Sequence, residues 1–99
     1  MNPALIISAA DNVATALEAL EAGRTIRFGT LTVTVSEAIP RGHKFALRAI
    51  DGGEPILKYG SAIGTAISAI AAGAHVHTHN LASARGRGDL AAAAESRVE

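Results

Sequence analysis

The sequence predicts a mainly β domain of short strands joined by tight glycine turns. Three observations carry that reading. Apolar and polar residues alternate with period two through residues 25–35 and 44–50, as on half-buried strands. Turn formers punctuate the chain at Asp11-Asn12, Ile39-Pro40-Arg41-Gly42-His43, Asp51-Gly52-Gly53 and Gly60-Ser61. The pattern Ala-apolar-x-Ala-apolar-x-x-Gly-x-x-apolar recurs at residues 16–26, 46–56 and 66–76, which argues for one local structure used three times. The uneven spacing of the copies excludes a solenoid.

In chain order, Ala4-Leu5-Ile6-Ile7 is a short apolar run ahead of the Asp11-Asn12 turn. Val13, Ala16, Leu17 and Leu20 fit a helical stripe with Gly23 just past its end, so residues 13–20 stay open between strand and helix, as do residues 65–70. Ile26, Phe28, Leu31, Val33 and Val35 around Gly29-Thr30 read as two strands or one bulged strand. After the Pro40–Gly42 turn, Phe45, Leu47 and Ala49 alternate against Lys44, Ala46 and Arg48, as a strand. Residues 55–59 form another short strand. Because the middle copy alternates, strand–turn–strand is the reading for all three. Residues 82–99 are Ala, Ser, Gly and charge with little to bury, and are expected to be a mobile or partner-ordered tail with room for a short helix at 91–95.

Ninety-nine residues make one domain. Apolar residues reach 48%, but many are Ala and only Phe28, Phe45 and Tyr59 are aromatic. The core should be thin, and association with a partner or a second copy is expected. Zero formal net charge gives no electrostatic reason to bind nucleic acid or an anionic membrane. The absence of cysteine excludes disulfides and cysteine-ligated metal in this chain. The Met-Asn-Pro start lacks a basic n-region, and the longest uncharged run, residues 59–74, is too short to span a bilayer, so a cytoplasmic protein is expected.

The chemistry concentrates in His75-Val76-His77-Thr78-His79-Asn80. In a strand, His75, His77 and His79 would line one face. Imidazole ligates divalent metals and moves protons near neutral pH. Three of the four histidines lie here, and the fourth, His43, follows a glycine turn beside Lys44. Such a cluster suits Fe²⁺ or Mn²⁺, with Zn²⁺ as a third choice, or a general base or acid, and spacing does not separate these roles. Lys58 invites an anion-binding reading. Tyr59 reads as core. Arg85, Arg87 and Asp89 read as a solvated tail, with contact to a partner as the other reading.

The elements Gly42-His43-Lys44, Lys58-Tyr59-Gly60…Ile63-Gly64 and His77…His79-Asn80, with Ala46-Leu47…Ile50…Gly53-Glu54 between them, resemble the N-terminal region of the altronate and galactarate dehydratase family. The resemblance implies a SAF domain of β-clip fold over residues 1–81, with residues 82–99 as the tail. It implies the small subunit of a metal-dependent sugar-acid dehydratase, inactive without a large catalytic subunit, that eliminates water from a 2,3-dihydroxy acid. Carried onto this chain, the catalytic candidates are His77, His79 and His43. The metal candidates are His75, His77 and His79, and the substrate-binding candidates are Lys58, Lys44 and Asn80. The other readings are a non-catalytic binding or assembly module, and the small subunit of an enzyme like sulfolactate sulfo-lyase.

Overall fold

Runs of Val, Ile, Thr and Phe bounded by glycine turns fold into nine short strands in a computed structural model that describes residues 2–83. They are β1 (Ala4–Leu5), β2 (Val13–Ala16), β3 (Thr25–Phe28), β4 (Leu31–Thr34), β5 (Lys44–Ala46), β6 (Pro55–Lys58), β7 (Ser61–Ala66), β8 (His75–Val76) and β9 (Leu81–Ser83). A central sheet runs β1-β2-β5-β8, flanked by the β3–β4 hairpin and by a sheet in the order β6-β7-β9. All strand pairs are antiparallel. There is no helix among the described residues, so residues 13–20 and 65–70 resolve as strand followed by a bend.

The repeat is fourfold. Residues 35–45 (Val35-Ser36-Glu37-Ala38-Ile39-Pro40-Arg41-Gly42-His43-Lys44-Phe45) form the copy that the sequence pattern missed, because Val35 and Ser36 stand where the others have Ala and then Leu or Ile. In every copy the glycine has positive φ: 91° at Gly23, 83° at Gly42, 92° at Gly53 and 83° at Gly73. The next N–H then bonds back to the carbonyl three residues earlier, Arg24 to Glu21, His43 to Pro40, Glu54 to Asp51 and Ala74 to Ala71. That turn needs the left-handed backbone only glycine adopts freely.

The copies pair in twos. Leu20 bridges Ile39, and Ile50 bridges Ile70. Within each pair the glycine N–H of one copy bonds the carbonyl that opens the other: Gly23 to Val35, Gly42 to Ala16, Gly53 to Ala66 and Gly73 to Ala46, each at 2.8 Å. Each pair closes over its own core. Leu20, Ile26, Val35, Ile39 and Phe45 fill the first lobe. Ile50, Ile56, Ala66, Ile70 and Val76 fill the second. Strand β5 serves both lobes, because Phe45 faces the first core and Ala46 the second. Buried Asn12 pins the lobes together: its amide donates to Pro55 O (2.9 Å) and its carbonyl accepts from Leu57 N–H (2.7 Å). The result is elongated, 42 × 23 × 21 Å.

Four expectations are corrected. The alternation that suggested a strand through Ile50 breaks after Ala46, where the chain bends at Leu47–Arg48 to enter the third copy, and Ala49 is exposed. The histidine strand stops at Val76 and residues 77–80 turn. Tyr59 is 47% exposed on the β6–β7 hairpin and takes no part in the core. Ala82 and Ser83, assigned to the tail on composition, pair with Thr65 and Gly64 of β7. Arg85, Arg87, Asp89 and the expected helix at 91–95 lie outside the described residues.

Candidate metal and anion site

The site forms where the two lobes share their sheet. β5 and β8 pair with Lys44 opposite Val76 and Phe45 opposite His75. Side chains alternate along each strand, so His43 and Phe45 share a face with His75, while Lys44 and Val76 take the other. His43 enters from the second copy's glycine turn and His75 from the fourth's. Continuing the register places His77 across from His43, and their rings stack with centroids 4.0 Å apart at 13°. His43 and His75 also stack, and His43 Nδ1 lies 2.8 Å from His75 Nε2. One ring must supply that hydrogen and the other a lone pair, so the pair is not doubly protonated.

Ligand-capable atoms of His43, His75 and His77 all lie within 4.8 Å of one another. His77 Nδ1 is buried with no hydrogen-bond partner among the described residues. A buried imidazole nitrogen left unpaired is costly unless something binds it. Three half-buried imidazoles are a donor set suited to Zn²⁺, Fe²⁺ or Mn²⁺, with positions left for other ligands, so these residues fit the metal that the sequence suggests. Burial, then the nearby His43 and His79, holds the His75 imidazole below its ordinary value, against an opposing pull from Glu37. Burial, then His43, Lys44 and His79, does the same for His77. Both are therefore poised neutral, the form that binds metal.

The geometry regroups the candidates. His43 joins His75 and His77. His79 sits exposed on the turn, its ring tilted at 38° and 5.3 Å from that of His75. Asn80 is occupied by backbone: its carbonyl accepts from His77 N–H (3.0 Å) and its amide donates to His75 O (2.9 Å). With its own N–H bonded to His77 O, Asn80 ties the turn so that His75 and His77 keep their common face after β8 has ended. Glu37, which sequence reading missed, accepts the His75 N–H at 3.0 Å and anchors the free edge of β8. Only recognition of the 35–45 copy would have drawn attention to it.

On the opposite face, Lys44 is half-buried, and burial followed by the neighbouring Lys58 lowers its ammonium from the ordinary lysine value. Neither lysine makes an ion pair among the described residues. Thr15, which pairs with Lys44 across β2–β5, has a buried hydroxyl without a partner. Two cations, one partly desolvated and neither neutralised, favour an anion nearby.

Residues 2–84 match the family model described as the altronate/galactarate dehydratase SAF domain. The chain belongs to this SAF-domain family. It is 50% identical over 74 residues to altronate dehydratase of Escherichia coli, and 40% identical over 70 residues to that of Bacillus subtilis. These matches take in 75% and 71% of the chain but only 15% and 14% of those relatives. It is also 37% identical over 75 residues to (2R)-sulfolactate sulfo-lyase subunit alpha of Chromohalobacter salexigens, covering 70% of this chain and 80% of that one. In this SAF domain no helix among the described residues is long and apolar enough to cross a membrane.

Proposed function

We propose that this chain is the SAF module of a metal-dependent sugar-acid dehydratase of the altronate/galactarate type, completed by a large catalytic subunit. The observation that carries the reading is the convergence of His43, His75 and His77 at the lobe junction, with the buried Nδ1 of His77 unpaired. The sulfo-lyase relative that the chain matches over 80% of its length is named as subunit alpha, which supports a separate partner bringing the rest of the active site. Cytoplasmic placement remains part of the proposal.

The reaction removes the proton beside a carboxylate and expels the hydroxyl one carbon further on. The C–H electron pair becomes the new C=C bond as the C–O bond breaks, and the enol rearranges to a 2-keto-3-deoxy acid. His43, His75 and His77 hold the metal. The bound ion supplies Lewis-acid stabilisation of the oxygens where negative charge develops. Lys44, near enough to His77 to hold its imidazole below the ordinary value although its strand position faces the other way, receives the substrate carboxylate with Lys58. Exposed His79, its ring 5.3 Å from that of His75, transfers the proton. Asn80 is assigned to holding the histidine turn, because both ends of its amide are engaged there.

The test is reconstitution with the large subunit and assay against altronate, galactarate and sulfolactate. His77→Ala and His79→Ala should each lower kcat by on the order of 10²-fold or more, and His77→Ala should also empty the metal site. Near-wild-type turnover and metal content in both variants would refute the assignment. A second reading is elimination of sulfite from sulfolactate. It is favoured by the 80% coverage of the sulfo-lyase subunit, and turnover of sulfolactate alone would establish it.

A further inference from the structure

The β6–β7 hairpin holds a residue that the fold does not explain. Lys58 pairs with Ser61, leaving a two-residue turn of Tyr59 and Gly60. Both have positive φ, 56° and 80°. This is the turn in which Asn-Gly is at home, because its first position is left-handed. A bulky aromatic there is an outlier. Among the described residues Tyr59 is the one non-glycine residue with positive φ. Burial does not compensate, since the side chain is 47% exposed. The turn is also fixed from outside: the Asp11 carboxylate accepts the Gly60 N–H at 2.7 Å and the Ser8 N–H at 3.2 Å. Strain held in place by its surroundings is a mark of a functional position.

The left-handed turn brings the Tyr59 ring beneath the preceding side chain, with Lys58 Nζ 4.9 Å from the ring centre. Neither Lys58 nor half-buried Lys44 makes an ion pair among the described residues, and Lys44 stands across the strand from Thr15, whose buried hydroxyl has no hydrogen-bond partner among them. We infer that Tyr59 is a positioning residue for anion binding. Its ring holds the Lys58 ammonium beside Lys44, so that the two cations and the Thr15 hydroxyl meet a substrate carboxylate together. This rests on the carboxylate-binding role proposed for the lysines and adds the element that orients them. Without the ring, Lys58 has a flexible four-carbon stem and a neighbouring like charge that drives it away.

The test titrates the full chain with tartrate, the simplest 2,3-dihydroxy dicarboxylate, by calorimetry, beside thermal melts. Tyr59→Asn suits the left-handed turn and removes the ring. It should leave Tm equal or higher and weaken tartrate binding by roughly two- to fivefold, the worth of an exposed cation–π contact. Tyr59→Phe keeps the ring and should bind within about twofold of wild type. In a Lys58→Ala background, Tyr59→Asn should have no further effect, since the ring acts through that ammonium. Unchanged affinity in Tyr59→Asn would overturn the inference, as would a lowered Tm or a loss that persists without Lys58. No tartrate binding by the wild-type chain would overturn the anion site itself. The dehydratase reading is judged separately, by turnover in the reconstituted enzyme, so the two failures are distinguishable.

Discussion

The first and third copies of the repeat differ from the second and fourth in the strands they feed beyond their glycines. The first leaves its turn as Arg24-Thr25-Ile26 and the third as Glu54-Pro55-Ile56, each entering a peripheral hairpin. These exit residues are structural: Thr25 and Thr34 hydroxyls bond across β3–β4, and Pro55 opens β6 while its carbonyl takes the Asn12 amide. The second and fourth leave as His43-Lys44-Phe45 and Ala74-His75-Val76, and these exits pair with each other in the central sheet. One backbone device thus serves two ends. The peripheral exits build the lobes, and the central exits put three imidazoles on one face and a lysine on the other.

The largest expected contrast is between glycines of the two kinds of copy. A Cβ on Gly73 would run into the Thr34 carbonyl of the first lobe, while a Cβ on Gly23 meets nothing within 4 Å. Both are left-handed, so each Ala variant carries about 1–2 kcal/mol of backbone strain. Gly73→Ala adds a packing clash of about 1–3 kcal/mol. Denaturant melts should therefore show Gly73→Ala as much the less stable, and equal losses would mean that the fourth copy is not seated on the first lobe.

A smaller effect sharpens the role of Asn80. Asn80→Asp keeps the acceptor for His77 N–H and loses the donor to His75 O. Metal affinity measured on the chain should fall by roughly 10-fold or more, as for other residues that orient ligands, with a modest change in Tm. A Zn²⁺ affinity equal to wild type would show that the turn holds His75 and His77 without it.

The smallest contrast is in pH dependence, and it belongs to the central exits. His75 and His77 are held below the ordinary imidazole value by burial and then by their charged and imidazole neighbours. As pH falls, the unfolded chain takes up protons first, near about 6.5. The stability these neutral rings contribute is full above that value and declines as pH drops through it toward the lowered folded values. The metal-free chain should lose Tm between pH 7.5 and 5.5, and a His75→Gln/His77→Gln variant should lose less. Identical slopes would remove these two residues from the account.

Much of this was legible in the residues. The alternation through residues 25–35 and the glycine turns give strands and hairpins, and the recurrence of Ala-apolar-x-Ala-apolar-x-x-Gly favours strand over helix at residues 13–20 and 65–70, although the middle copy's own strand ends at Ala46. The strand ends were not legible, because hydrogen bonding across lobes decides them. Ile67 N–H bonds Asn80 O, and the Asn80 side chain closes a turn over residues 77–80 that alternation alone cannot foresee. Tyr59 escapes a local reading for a related reason: an aromatic that closes the run Ile56-Leu57-Lys58 reads as core unless the Tyr59-Gly60 pair is seen as a left-handed hairpin turn. His43 is visible as a candidate, but nothing local shows that its ring nitrogens lie within 4.8 Å of those of His75 and His77. That depends on β5 pairing with β8, which joins Lys44 to Val76 and Phe45 to His75 across the chain.

The central claim is that the ligand set is assembled across strands and not along one. Calorimetric titration of Zn²⁺ into the wild-type chain and its single His→Ala variants tests it most directly. Loss of affinity in His43→Ala, His75→Ala and His77→Ala, with His79→Ala close to wild type, is the predicted result. A silent His43→Ala beside an abolished His79→Ala would contradict it.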